Sequence, residues 1–211
     1  MASKTVNAMD FTGRGLRIGL LGGSFNPAHS GHRHLSIEAL RRLDLDRIWW
    51  LVSPQNPLKP VAGMAPLEHR LAAAWSVARH PRIIVSDIEN RLGTRRTADT
   101  LAALTKQHPR TRFVWLMGAD NLMQISQWSR WQEIFETVPV AVFARPSYSL
   151  HALAGTAARR YRRNRILEGA ARTLAVTPPP AWVFCRMRHD PTSASAIRAR
   201  VHGTDNARGT Q

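Results

Sequence analysis

Short apolar runs alternate with amphipathic stretches along most of the chain. The runs have the length and the β-branched and aromatic content of buried parallel strands, and they lie at 16–22, 47–53, 82–86, 112–117, 138–143 and 181–185. Between most of them, apolar residues recur at helical spacing over 31–43, 66–79, 97–107 and 128–136. This alternation predicts an α/β fold, a doubly wound and mostly parallel sheet with helices on both faces.

The length of 211 residues suits one domain. We expect a single domain over 16–203, a flexible N-terminal extension over 1–15 and a short C-terminal tail over 204–211. The segment 151–180 departs from the alternation, because it carries "RRYRRNR" and then "TPPP". That composition predicts a basic helix followed by a rigid connector.

Hydropathy and cysteine usage narrow the class of protein. No stretch approaches the ~20 uncharged apolar residues that a membrane-spanning helix needs, and the N-terminus lacks the apolar region of a secretory signal. We therefore expect a cytoplasmic protein without membrane association. The single cysteine, Cys185, lies in the apolar run "WVFC", which indicates a buried, inert thiol.

The formal net charge of +16 attracts polyanions or concentrates anionic substrates, and the charge does not decide between them. A basic nucleic-acid-binding module is therefore an alternative class. We consider nucleic acid an unlikely partner, since the sequence carries no recognisable nucleic-acid-binding motif. The cluster of arginines over 159–165 fits either a solvated helix face or an anion site.

The stretch "GGSFNPAHSGH", residues 22–32, joins the first predicted strand to the first predicted helix. Gly22 and Gly23 let the backbone approach a ligand closely, and the N–H groups at the start of the helix can bind an anion. His29 and His32 lie three residues apart, so both imidazoles can point to one side and donate hydrogen bonds to phosphoryl oxygens. We assign no metal to them, because a zinc site needs three or four protein ligands.

The pattern G-G-S-F-N-P-x-H-x-G-H resembles the signature of the nucleotidyltransferase superfamily, and "TSASAIRAR" over 192–200 resembles its late S-x-S-x-x-R motif. The resemblance implies a Rossmann-like fold and an ATP site, with His29, His32 and Arg198 as catalytic residues. The implied ATP-binding residues are Gly22, Gly23, Ser24, Phe25, His29, His32, Gly118, Asp120, Ser193, Ser195 and Arg198.

Within the superfamily the chain is most similar to bacterial nicotinate-nucleotide adenylyltransferases. The similarity rests on the segments "SPQNPLKP", "RRTADTLAAL", "GADNL" and "FARP". The similarity implies that the acceptor substrate, nicotinate mononucleotide, is bound by Lys59, Thr97, Trp128 and Arg145. Trp128 would stack on the pyridine ring, with a core position for either tryptophan of "WSRWQEIF" as the alternative. Asn26 stands where many relatives carry Asp.

The resemblance implies a reaction of ATP with nicotinate mononucleotide that gives deamido-NAD and pyrophosphate, with Mg²⁺ accompanying ATP. Two other acceptors, nicotinamide mononucleotide and phosphopantetheine, remain alternatives within the superfamily. The oligomeric state is open, since nothing in the sequence predicts it.

Overall fold

A single parallel sheet of seven strands organises the computed structural model, which describes residues 15–54, 63–144 and 149–187. Every strand pair is parallel, and the spatial order is β3-β2-β1-β4-β5-β7-β6. The strands are Arg17–Gly23 (β1), Arg47–Val52 (β2), Ile83–Ser86 (β3), Arg112–Gly118 (β4), Val140–Phe143 (β5), Arg165–Ile166 (β6) and Trp182–Cys185 (β7).

Helices connect these strands and cover both faces of the sheet. The α-helices are Ser30–Arg42 (α1), Leu67–Ala78 (α2), Ile88–Arg91 (α3), Thr97–Gln107 (α4), Ala119–Gln124 (α5), Trp131–Thr137 (α6), Ser149–Ala154 (α7) and Thr156–Arg160 (α8). Short 3-10 helices lie at Ile125–Gln127, Arg162–Asn164 and Glu168–Val176. Within the described ranges, no helix has the length and apolar character needed to cross a membrane.

The core consists of two layers, one on each face of the sheet, because successive strand residues point to opposite sides. On β2, Trp49 and Leu51 pack with α4, α5, α6 and α8, whereas Trp50 and Val52 pack with α1, α2 and the 3-10 helix at 168–176. The residues of β4 also alternate between the two core layers. Burial on both faces explains why these strands read as continuous apolar runs.

The central strand β1 lies between β2 and β4, and the chain reverses its winding direction there. Helix α1, which follows β1, packs on one face, and α5, which follows β4, packs on the other. The loops after β1 and β4 therefore diverge at the carboxyl end of the sheet. Such a switch point is where open α/β sheets bind ligands.

The six strands predicted from the sequence are confirmed, as are the helices at α1, α2 and α4. The predicted helix at 128–136 was wrong at its start. Trp128 is extended, Arg130 has a left-handed φ of 57°, and α6 begins only at Trp131. Helix α5 was not predicted, since its six residues are too few to show a helical period.

The prediction of one basic helix followed by a connector over 151–180 was also wrong. The chain forms α7 and α8 with Gly155 between them, then a 3-10 turn, strand β6 and a further 3-10 helix. Strand β6 pairs with β7, which comes later in the sequence, so a local pattern could not reveal it.

Replacing Gly22 with Ala tests the packing at the end of β1. A Cβ atom at this position would clash with Cη2 of Trp115, whose rigid ring is held in the core. We expect Gly22→Ala to lower the free energy of unfolding by about 1–3 kcal/mol, measured by urea denaturation. Gly169→Ala is the matched control, because no atom lies within 4 Å of the added methyl group. Equal stability of the two variants would contradict this account.

Candidate active site

The two histidines of the loop after β1 lie against each other at the start of α1. His29 is the N-cap residue of α1 and His32 is the third residue of the helix, with their ring centroids 3.9 Å apart. The backbone N–H of His29 donates a hydrogen bond to Nδ1 of His32 at 3.3 Å. Because Nδ1 of His32 accepts this bond, a neutral His32 carries its proton on Nε2. His32 is therefore prepared to donate from Nε2.

The ring of His32 packs against two aromatic side chains of the core. Its centroid lies 4.7 Å from that of Phe25, and Phe25 stacks on Trp50 at 5.1 Å. The indole N–H of Trp50 donates to Oγ of Ser36, and Ser36 donates to the carbonyl of His32, each at 2.8 Å. Phe25 is only 1% exposed. Its ring therefore positions His32, and the buried ring is not available to a ligand.

A Cβ atom would meet different surroundings at the two glycines that end β1. The space beside Gly22 is filled by the indole of Trp115, so the close approach at this glycine is made by the protein's own core. A Cβ atom on Gly23 would meet the Phe25 ring at 3.5 Å, an ordinary contact distance. The expected approach of a ligand to Gly22 is therefore restricted to its backbone edge.

The electrostatics of the α1 N-terminus suit an anion. The first turn of α1 contains no acidic residue, so its positive end is not neutralised within the helix. Across the switch point, Gly118 ends β4 and caps α5, and Asp120 lies in the first turn of α5. The structure thus brings the predicted ATP-binding residues of both loops to the same edge of the sheet.

The predicted acceptor residues Thr97 and Trp128 belong to elements that an ion-pair network joins. Thr97 is the first residue of α4, and Trp128 precedes α6. Arg130 binds Asp99 of α4 and Glu133 of α6, with both N–O distances 2.6 Å. The loop carrying Trp128 is therefore attached to the first turn of α4.

The structure distinguishes the two tryptophans of this segment. Trp131 is buried and makes edge-on contacts with Phe135 and Tyr161, so it is a core residue. Trp128 is half-buried and packs against the core from its margin. Of the two rings, that of Trp128 is thus the one accessible to a ligand.

Arg70 is a buried residue of this region that the sequence analysis missed. It is 3% exposed, and its guanidinium donates to four backbone carbonyls, those of Ser24, Ser53, Pro54 and Ala65, at 2.7–2.9 Å. Burial lowers the pKa of Arg70, although an arginine remains charged. The sequence does contain a signal, since Arg70 shares helical spacing with the buried Ala74 and Ala78.

Glu89 is a second buried charge-bearing residue that was missed. It lies in α3, is 6% exposed, and makes side-chain hydrogen bonds with Ser53 and Thr100. Burial raises the pKa of Glu89 from 4.5 to about 7, although the two hydrogen bonds oppose that change. Its carboxyl group connects the end of β2 to α4.

Five predicted site residues, Lys59, Arg145, Ser193, Ser195 and Arg198, lie outside the described residues. Among the residues that are described, no group of three or more His, Cys, Asp or Glu side chains could hold a metal ion. The prediction for Cys185 is confirmed, since the thiol is buried and burial raises its pKa to about 12.

Sequence comparison gives the family. Residues 20–200 match the model of the cytidylyltransferase-like family. A probable nicotinate-nucleotide adenylyltransferase from Cereibacter sphaeroides is 58% identical over 182 residues, which cover 86% of this chain and 96% of the relative. The chain belongs to the nicotinate-nucleotide adenylyltransferase family. Another member, from Parvibaculum lavamentivorans, is 55% identical over 88% of this chain and 92% of its own length.

Structural comparison gives the same fold for this family member. Nicotinic acid mononucleotide adenylyltransferase from Plasmodium falciparum, solved in complex with APC and in complex with NaAD, superposes with a TM-score of 0.62. The superposition covers 87% of this chain and 83% of the Plasmodium chain at 16% identity. The α/β architecture is therefore shared at low sequence identity.

The raised pKa of Glu89 predicts a pH-dependent stability. Between pH 4.5 and about 7 the folded chain retains a proton that the unfolded chain releases, so the free energy of unfolding falls as the pH rises through this interval. Replacement with Gln removes the titration. Relative to Glu89→Gln, we expect the wild type to lose up to about 3 kcal/mol of stability between pH 5 and pH 8.

Urea denaturation of both proteins at the two pH values measures this difference. Glu68→Gln, a change at an exposed glutamate of α2, serves as the control. A constant difference between wild type and Glu89→Gln at both pH values would mean that Glu89 is not protonated in the folded protein.

Proposed function

We propose that this chain transfers the adenylyl group of ATP to nicotinate mononucleotide, giving deamido-NAD and pyrophosphate, as a step of NAD biosynthesis. One observation carries the proposal. The His29–His32 pair lies at the N-terminus of α1, at the switch point of the sheet, with Nε2 of His32 prepared to donate. The choice of acceptor is supported by high sequence identity, over most of both chains, to relatives named as probable nicotinate-nucleotide adenylyltransferases.

The reaction is a direct displacement at phosphorus. A phosphate oxygen of the mononucleotide attacks the α-phosphorus of ATP, the new P–O bond forms, and the bond to the β-phosphate oxygen breaks on the opposite side. Pyrophosphate leaves with that electron pair, and no covalent enzyme intermediate forms. Positioning and charge stabilisation are then the main contributions of the protein.

The histidines stabilise charge on the α-phosphate. Nε2–H of His32 donates to a non-bridging oxygen, and His29 interacts with the same group from the N-cap position of α1. The N–H groups at the start of α1 add their positive potential to this site. Because His32 is packed against Phe25 and Trp50, its donor needs little reorganisation during the reaction.

Other residues hold the rest of ATP. Backbone groups of Gly22, Gly23, Ser24 and Phe25 line the triphosphate, while Gly118 and Asp120 face the nucleoside, Asp120 accepting hydrogen bonds from its ribose or adenine. Ser193, Ser195 and Arg198 bind the β- and γ-phosphates and then the pyrophosphate. Mg²⁺ accompanying ATP would offset part of the charge of the phosphates, and it would be bound mainly by those phosphates and water.

The acceptor occupies the region between α4 and the loop before α6. Trp128 stacks on the pyridine ring, and the helix start at Thr97 donates N–H groups to the nicotinate carboxylate. Lys59 binds the acceptor phosphate, and Arg145 is a further residue that binds the mononucleotide. A carboxylate suits this site better than a carboxamide, since N–H donors leave the amide NH₂ without an acceptor.

Removal of the His32 imidazole tests its catalytic role. We expect His32→Ala to lower kcat by roughly 10²-fold, the scale of losing one transition-state donor, with the fold retained. Pyrophosphate release with ATP and nicotinate mononucleotide is the measurement. His80→Ala is the matched control, because His80 lies just before β3, at the opposite end of the sheet. A folded His32→Ala enzyme with normal kcat would exclude the assignment.

Competition between the two mononucleotides tests the acceptor. We expect kcat/KM for nicotinate mononucleotide to exceed that for nicotinamide mononucleotide by roughly 10²-fold. The measurement is turnover of both acceptors at equal ATP. In Trp128→Ala, KM should rise for both acceptors and the ratio between them should change little, because stacking does not distinguish acid from amide.

A preference for nicotinamide mononucleotide would move the activity to that acceptor and remove Thr97 from the site. Turnover of phosphopantetheine instead would remove Trp128 as well. Neither result would alter the roles of His29 and His32.

A further inference from the structure

Arg70 reaches residues that lie just beyond the ends of two strands. Ser24 follows the last residue of β1, and Ser53 and Pro54 follow the last residue of β2. The Nη1 atom of Arg70 donates to the carbonyls of both Ser24 and Ser53 at 2.7 Å. A single nitrogen atom therefore joins the two loops that leave the carboxyl end of the sheet.

The other donors of Arg70 extend this connection to a third segment. Nη2 donates to the carbonyl of Pro54 and Nε to that of Ala65, each at 2.9 Å. The side chain of Asn26 reinforces the connection, since its Nδ2 donates to the carbonyl of Gly63 at 3.0 Å and its Oδ1 accepts from the N–H of Ala65 at 3.3 Å. Residues just after β1, just after β2 and just before α2 are thus connected to one another.

The arrangement requires the geometry of a guanidinium. Among the described residues, no carboxylate forms an ion pair with Arg70, so the carbonyl groups solvate its buried charge. A planar fork with donors on three nitrogens reaches four carbonyls at once, whereas lysine presents all its donors from one atom. Lysine at this position would keep the charge and lose most of the bonds.

The strands themselves do not depend on Arg70. Residues of β1 and β2 pair with each other and with β3 and β4 through the backbone ladder. The contacts of Arg70 begin where this ladder ends. Loss of its side chain should therefore loosen the loops while the sheet persists.

We propose that Arg70 is a positioning residue that holds the loop after β1 and the loop after β2 in one fixed relation, so that ATP and the acceptor meet in line. This inference rests on the proposed function for its kinetic consequences. Arg70 does not touch the substrates. It acts through Ser24 beside the phosphate site and through Ser53 and Pro54, which lead into the segment that carries Lys59.

The kinetic test uses Arg70→Met and Arg70→Lys, assayed well below the melting temperature of each. Arg79→Met, a change at an exposed arginine that ends the same helix, is the matched control. We expect kcat/KM to fall by about 10- to 100-fold for both substrates, the scale of small misplacements of reacting groups. A purely structural role would lower the melting temperature and leave the kinetics of the folded enzyme unchanged.

The Arg70→Lys variant distinguishes the positioning role of the guanidinium from the effect of its charge alone. If Arg70→Lys restored wild-type kinetics, the charge alone would suffice and the positioning role would be wrong. If a fully folded Arg70→Met enzyme kept wild-type kcat and KM values, the proposal would also fail. Should Arg70→Met not fold, Arg70→Lys carries the same test.

Amide hydrogen exchange tests the proposal without reference to the reaction. In Arg70→Lys, peptides covering residues 23–28 and 63–67 should exchange faster than in the wild type, while peptides within β1 and β4 should not change. Unchanged exchange in both loop peptides would overturn the proposal. Absence of wild-type turnover with ATP and nicotinate mononucleotide would instead refute the proposed function and leave the exchange result valid.

Discussion

Parallel pairing of β1 with both β2 and β4 is the constraint on which the rest of this structure depends. It places one strand at the centre of the sheet, with its helix on one face and the helix after β4 on the other. The loops after β1 and β4 then leave the carboxyl end towards opposite faces, which makes this end the switch point of the sheet. The histidine loop and the segment around Asp120 lie at the same edge of the sheet for this reason.

At this edge of the sheet, contacts with the core fix the orientation of the His32 side chain. His32 receives a hydrogen bond from the backbone of His29 and lies against a stack of Phe25 and Trp50, which is itself anchored through Ser36. The imidazole is therefore held in place by the backbone of His29 and by the packed rings of Phe25 and Trp50. In the proposed reaction this arrangement fixes the donor before substrate binds, which is the physical basis of electrostatic stabilisation.

Two buried polar groups show how the fold connects its loops. Burial of a charge is costly unless hydrogen bonds replace its water, and the four carbonyls around Arg70 do so. Glu89 avoids the burial of a charge, because its carboxyl group retains its proton up to about pH 7. Both groups bond to Ser53, Arg70 at its carbonyl and Glu89 at its side chain. The residue just after β2 thus contacts side chains of α2 and α3, and these same side chains reach Ser24 of the loop after β1 and Thr100 of α4.

The sequence by itself determined six of the seven strands, the main helices and the histidine turn, because each depends on a pattern within a dozen neighbouring residues. The tertiary structure alone decided that Trp131 is core while Trp128 is accessible, that Gly22 accommodates Trp115, and that 151–180 contains a strand. It also decided the environments of Arg70 and Glu89. Arg70 bonds to Ser24, 46 positions away. Such burial and pairing are set by residues distant along the chain, and no local period records them.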